Sequence, residues 1–241
     1  MGRILFLALL LCGALAGIYR LLSRPAPPDA ALRQREAVLT PAGFVYVPGG
    51  EAWIGSNDED ADEEDRPGRR VFVPSFYLGR CEVTQAEWKR FRPDYRIPRG
   101  AERLPVTNVT YEDAEAYSRF VGGRLPTDLE WEKAARGTDG RRYPWGDRFE
   151  AERCNLARAG RGAPTKSCLM PGARKGLRAV DAFPDGASPY GALNMAGNAW
   201  EWVAGFYQGN PTQRIIRGGA VGYGERSART YARGVEGTGV T

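Results

Sequence analysis

Asn194-Met195-Ala196-Gly197-Asn198-Ala199-Trp200-Glu201-Trp202-Val203 is the stretch from which the rest of the chain is read. It has no simple period: strand alternation fails, and a helix with Gly197 and Asn198 at its centre carries a propensity cost. Gly and Asn are the residue types that tolerate positive φ, so a tight turn is expected there. A turn that gathers Asn and Glu oxygens with backbone carbonyls suits a hard cation such as calcium, which takes about six to eight oxygen ligands. From the stretch alone two readings stay open: a cation loop, or a buried tryptophan corner whose polar groups bond to one another.

Composition narrows the chemistry. The chain has 241 residues, 42% hydrophobic and 26% charged, enough for one good core. Its 31 Gly and 17 Pro are spread along the length, which predicts a loop-rich fold rather than a helical bundle. The net charge of +5 comes from Arg scattered among acids. No basic stripe stands out, so no nucleic-acid partner is expected. Histidine is absent. That excludes His-ligated zinc, iron or copper and every mechanism with His as general base, the Ser-His-Asp and Cys-His arrangements included.

Met1-Gly2-Arg3 is a short basic start to an apolar run, and Ala14-Leu15-Ala16 before Gly17 resembles a cleavage site. Residues 1–24 therefore read as a signal peptide or as an uncleaved N-terminal membrane anchor. A lipidated Cys12 is a third reading, weakened by the large Leu11 before it. All three place the domain outside the cytoplasm, periplasmic or anchored facing the periplasm or exterior. Residues 25–40, with Pro25, Pro27 and Pro28, read as a linker, and 41–241 as the folded domain. Within it Phe44–Val47, Trp53–Gly55 and Arg70–Tyr77 read as strands. The acidic run Asn57–Asp65 lacks the Gly and Glu positions of an EF-hand and reads as a solvated loop. Thr84-Gln85-Ala86-Glu87 and Thr127-Asp128-Leu129-Glu130 are capping boxes that open short helices, the second running to about Arg136. A helix from Thr110 is expected to pack the face carrying Ala114, Tyr117 and Val121 on the core. Cys154 and Cys168 are expected to pair in an oxidising compartment, worth roughly 3 kcal/mol by loop entropy. Cys81 is expected to stay a buried free thiol without chemistry.

Gly191 to Trp202 resembles the signature of the formylglycine-generating enzyme (sulfatase-modifying factor) superfamily. Further pieces follow in that family's order: Phe76-Tyr77 through Glu82-Val83-Thr84, Gly123-Arg124-Leu125-Pro126-Thr127 with Glu130-Trp131-Glu132, Tyr143-Pro144-Trp145-Gly146-Asp147, Val180-Asp181-Ala182-Phe183-Pro184 and Arg217-Gly218-Gly219. The resemblance implies an α+β, C-type-lectin-like fold: a small twisted antiparallel sheet, two or three helices and long loops. It also implies a family chemistry that oxidises a sulfatase cysteine to formylglycine with O2 and copper(I) on two thiolates shortly after Arg-Gly-Gly. Here that region holds no cysteine, and Tyr223 stands about where the first thiolate belongs. A phenol cannot replace a soft ligand for copper(I). The related iron-dependent sulfoxide synthases need histidine ligands, so that chemistry is excluded as well.

Of the family's two calcium sites, one matches position by position. Asn194 and Glu201 would give side-chain oxygens, and Gly197 and Ala199 would give carbonyls. The other matches only at Asn155 and Leu156; its Asp falls near Gly172, with Arg174 close by. The family usually closes with a Gly-Phe-Arg strand near the N-terminal strand. This sequence ends at Gly237-Thr238-Gly239-Val240-Thr241: either that strand is lost or the sequence is incomplete, and if it is lost Phe44–Val47 is expected at an unprotected sheet edge. The expectation is an exported, noncatalytic binding or scaffold module with structural calcium and no copper, haem or nucleotide. Its binding face would carry Arg217, Tyr223, Glu225, Arg229 and Tyr231, and its partner would be an extracytoplasmic protein, peptide or glycan. The alternative is an enzyme of altered chemistry in the maturation of an exported peptide or siderophore.

Overall fold

A computed structural model describes residues 40–156 and 176–237. The export segment, nearly all of the linker, Cys168 and the region of Gly172 lie outside those residues. Contacts divide the chain into Met1–Thr40 and Pro41–Thr241. The second unit is α+β, with seven short strands and three helices among the described residues.

The strands form three small antiparallel sheets. β1 (Phe44–Val47) pairs with β4 (Phe76–Gly79), Val45 opposite Leu78 and Tyr46 opposite Tyr77. β2 (Gly50–Ile54) pairs with β3 (Arg69–Val73). The third sheet runs β5 (Glu201–Phe206), β6 (Gln213–Arg217), β7 (Gly234–Gly237). The expected strand Arg70–Tyr77 is thus two strands broken at Pro74, whose missing N–H suits a break in a ladder. β1 has β4 on one side, and among the described residues no third strand joins that pair.

Both capping boxes form. Thr84 opens α1 (Gln85–Phe91), with its hydroxyl accepting from the Glu87 N–H at 3.1 Å and Glu87 accepting from the Thr84 N–H at 2.9 Å. Thr127 and Glu130 do the same for α3 (Asp128–Arg136) at 3.2 and 2.8 Å. Between them lies α2 (Tyr111–Phe120). Its expected core face is corrected: Val121 is 51% exposed and Phe120 57%. α2 lies at the periphery, where Tyr117 stacks on Trp88 at 5.3 Å between ring centres and joins a surface aromatic group with Phe91 and Phe120.

α3 organises the interior. Every residue from Glu130 to Arg136 is buried. Trp131, Ala134 and Ala135 belong to the main apolar cluster with Val45, Val47, Ala192, Met195, Val203 and Ile215. Four charged residues are buried beside them, and each needs partners because an unpaired buried charge is expensive. Glu130 takes a two-pronged bond from Arg124, 2.7 Å on each prong. Lys133 Nζ donates to the carbonyls of Gly50 and Val73 at 3.0 and 3.2 Å, tying the helix to β2 and β3. Arg136 donates to the Gly55 carbonyl at 2.7 Å and to Glu132 at 2.9 Å. The other oxygen of Glu132 accepts from Arg217 at 2.9 Å, so α3 is bound by charge to β6 as well.

Candidate functional site

The loop before β5 is the turn that its residue types predict. Gly197 has φ +84°, and Asn194 and Asn198 have φ +55° and +66°. Gly197 is required twice over: a Cβ there would lie 2.6 Å from the Asn155 carbonyl oxygen, in a backbone conformation that side chains disfavour. That carbonyl accepts the Asn198 N–H at 2.8 Å, which docks the loop on the segment carrying Asn155.

Two carboxylates face the loop. Glu201, at the start of β5, accepts from the Trp131 indole N–H at 2.8 Å. Burial pushes its carboxyl up to about 7, and the indole bond opposes that only in part. Glu82 was not among the residues expected here. It accepts from the side-chain amides of Asn194 at 2.7 Å and Asn198 at 2.9 Å. Burial and then the nearby Glu201 raise the Glu82 carboxyl well above its ordinary value, against the two amides and the Ala199 N–H. The signal that could have found it is the Glu82-Val83-Thr84 motif, one of the pieces that carry the family resemblance.

The donor set fits a hard cation. The Asn194 side-chain oxygen is buried and has no hydrogen-bond partner, a deficit that costs about 1–3 kcal/mol in a protein interior. Glu82, which holds the Asn194 NH2, also feels the Glu201 carboxylate, which burial makes reluctant to ionise alone. A divalent ion would satisfy the Asn194 oxygen and charge-balance Glu201. Asn194, Gly197, Ala199 and Glu201 all lie on this one loop. At the partial site, the Asn155 NH2 donates to the Gly176 carbonyl and the Asn198 side-chain oxygen, each at 2.8 Å. Leu156 packs against the small cluster of Cys154, Ala196 and Ala228. Cys154 is buried with a free thiol, and its expected partner Cys168 is outside the described residues.

Where the resemblance places the first thiolate, Tyr223 is 4% exposed and meets the Trp200 ring edge-to-face at 5.4 Å. The described cysteines are Cys81 and Cys154. Burial pushes the Cys154 thiol up to about 12 and raises that of Cys81, so both are protonated at neutral pH. Copper(I) takes thiolates, not thiols.

The expected binding face is corrected. Arg217, Tyr223, Arg229 and Tyr231 are all less than 9% exposed, and only Glu225 of the five is at the surface. The reason is a web of buried ion pairs. Arg217 donates to Asp128 at 2.6 Å and to the Tyr231 carbonyl at 2.8 Å. Arg233 bridges Asp128 at 2.8 Å and Asp65 at 2.6 Å. Glu225 accepts the Tyr143 hydroxyl at 2.6 Å. The acidic run is the surface loop its composition predicts, with Asn57, Glu59, Asp60, Asp62 and Glu63 exposed, but it is also pinned at three of its carboxylates. Arg229 grips Asp60 with two bonds of 2.8 Å, Arg142 and the Tyr231 hydroxyl bind Asp58, and Asp65 is 3% exposed.

Comparison with known proteins agrees with this architecture. The inactive C-alpha-formylglycine-generating enzyme 2 of Mus musculus is 30% identical, with 73% of each chain covered. The uncharacterized protein YfmG of Bacillus subtilis is also 30% identical, and the chain spans 41% of its length. Among solved structures, PvdO from Pseudomonas aeruginosa superposes with a TM-score of 0.64 at 20% identity, covering 82% of this chain and 89% of that one. The fold is therefore that of the formylglycine-generating enzymes. The family described as the sulfatase-modifying factor enzyme 1-like domain matches residues 29–240, and the chain belongs to it.

Proposed function

We propose that this chain is a noncatalytic sulfatase-modifying-factor-like domain, exported from the cytoplasm, that works as a binding or scaffold module and carries calcium in the Asn194–Glu201 loop. The observation behind this reading is Tyr223. A buried ring packed on Trp200 stands where the resemblance expects a copper thiolate, and the two described thiols are held protonated. The scaffold around that position is intact, from both helix caps to the α3–β6 ion pairs. The mouse relative, named as inactive, supports the same reading. Export rests on the basic-apolar start of the sequence alone.

With the Arg217–Tyr231 region buried, one concave surface open to a peptide or glycan is a cleft of about 370 Å³ beside α2 and β5. Tyr111, Ser118, Arg119, Arg124 and Leu125 line it, an apolar floor with both hydrogen-bond donors and charge. The test of the noncatalytic role is an anaerobic copper(I) titration of the full chain against a chromogenic chelator. The chelator is expected to keep the metal. A stoichiometric site that strips copper from it would overturn the reading. Export is checked by fractionating cells that make the full chain, and retention in the cytoplasm would refute it.

A further inference from the structure

We propose that Glu82 is the positioning residue of the calcium loop, selecting Asn194 rather than Asn198 as the amide ligand. This inference rests on the calcium reading given above. Both oxygens of the Glu82 carboxyl accept in this structure, one from the Asn194 NH2 at 2.7 Å and the other from the Asn198 NH2 at 2.9 Å, so both Asn side chains turn their NH2 groups toward it. The second N–H of Asn194 goes to the Val180 carbonyl at 3.1 Å, which leaves its oxygen as the one group with bonding capacity. Asn198 is different. Its NH2 serves Glu82 and the Arg178 carbonyl, at 2.9 and 3.2 Å, while its oxygen accepts from Asn155 at 2.8 Å and from the Arg178 N–H at 3.0 Å. Asn198 is saturated and fully buried, a strut, whereas Asn194 is left with a lone acceptor. Glu82 also takes the Ala199 N–H, and so restrains the peptide next to a carbonyl ligand. It reaches the loop from more than a hundred residues away, the Glu82–Asn198 bond spanning 116 positions. The positional match to the calcium ligands does not include it.

In Glu82→Gln, the new NH2 must face one of the two Asn amides. The cheaper escape is rotation of Asn194, because Asn198 would lose four bonds; rotation puts the Asn194 NH2 where the cation should be. The test is isothermal titration of calcium into the full chain, wild type and Glu82→Gln, with terbium luminescence sensitised by Trp131 as the competing readout. Loss of an outer-shell partner costs about 10- to 100-fold in metal affinity, and that loss is expected in a variant whose calcium-free near-ultraviolet circular dichroism remains native. Equal affinity in a folded variant overturns the inference while leaving the calcium reading standing. A wild-type chain that binds no calcium overturns the calcium reading first. Should the variant not fold, the wild type decides by nuclear magnetic resonance. The Asn194 and Asn198 side-chain NH2 protons are expected to be protected from exchange with and without calcium, with only the Asn194 carbonyl carbon shifting on binding. Unprotected amides, or a shift at Asn198 instead, overturn the proposal.

Discussion

Replacing Glu132 by Gln should be among the most damaging single changes in the domain, although it removes one charge and almost no volume. Glu132 is fully buried and holds three groups: the Gly55 N–H at 2.6 Å, Arg136 at 2.9 Å and Arg217 at 2.9 Å. Arg136 is 1% exposed and Arg217 is 0%. Removing one partner of a buried ion pair costs about 3–5 kcal/mol, because the remaining charge is stranded in a medium that solvates it poorly. Asp128 still faces Arg217 and Arg233 in the variant, which puts the expected loss at the lower end, about 3 kcal/mol. Urea unfolding followed by tryptophan fluorescence reads this directly. With a slope of about 2 kcal/mol per M, the midpoint should fall by about 1.5 M. The exposed pair Glu115–Arg119, 3.0 Å apart on α2, is the control. Arg119→Ala should shift stability by less than about 0.5 kcal/mol, as exposed pairs do. A loss under about 1 kcal/mol for Glu132→Gln would refute the view that α3 is held by its charges. A smaller loss in the Glu132→Gln, Arg217→Met double variant than the two single losses summed is the expected sign of direct coupling.

Other consequences follow from the same geometry. Thr127→Ala removes the cap of the central helix and should cost about 1 kcal/mol in the same unfolding assay. Glu201 has its carboxyl pushed up to about 7 against an ordinary 4.5. The native state therefore holds that proton more tightly than the unfolded chain. The resulting stabilisation is complete below about pH 4.5 and is lost as pH rises through about 7, by at most about 3 kcal/mol. Thermal midpoints in chelator should show this decline, and saturating calcium should remove it, since an ion on Glu201 favours the charged form. Arg229→Met releases the two-pronged hold on Asp60, so limited proteolysis should cut the 57–65 loop faster in the variant than in the wild type.

What the sequence disclosed was local. The two capping boxes need only four neighbouring residues each, and both form where Thr84 and Thr127 predict. The turn at Gly197-Asn198 is legible because few residue types accept positive φ. What stayed hidden was held together across the chain. The acidic loop is solvated as it reads, but the arginines that pin it, Arg142 and Arg229, arrive from 84 and 169 residues away. Arg217, Tyr223 and Tyr231 read as a surface because polar and aromatic residues crowd that stretch. Arg217 is interior because α3 carries Asp128 and Glu132 on its inward side, Tyr231 because its hydroxyl reaches Asp58, and Tyr223 because it packs on Trp200, none of which periodicity alone shows. The α2 face failed for the opposite reason: its pattern is apolar, yet Tyr117 packs on α1 at the edge of the domain and Val121 is exposed. Glu82 could be read from its motif as a family feature, but its role depends on amides folded over it from beyond position 190.

The proposed noncatalytic role predicts that a chain with Tyr223 in place of a copper thiolate performs no oxidase chemistry. The most direct measurement is mass spectrometry of a cysteine-containing sulfatase peptide after incubation with the pure full chain, copper(I), a reductant and O2. The peptide should return with its cysteine intact. Conversion of that cysteine to formylglycine would contradict the account.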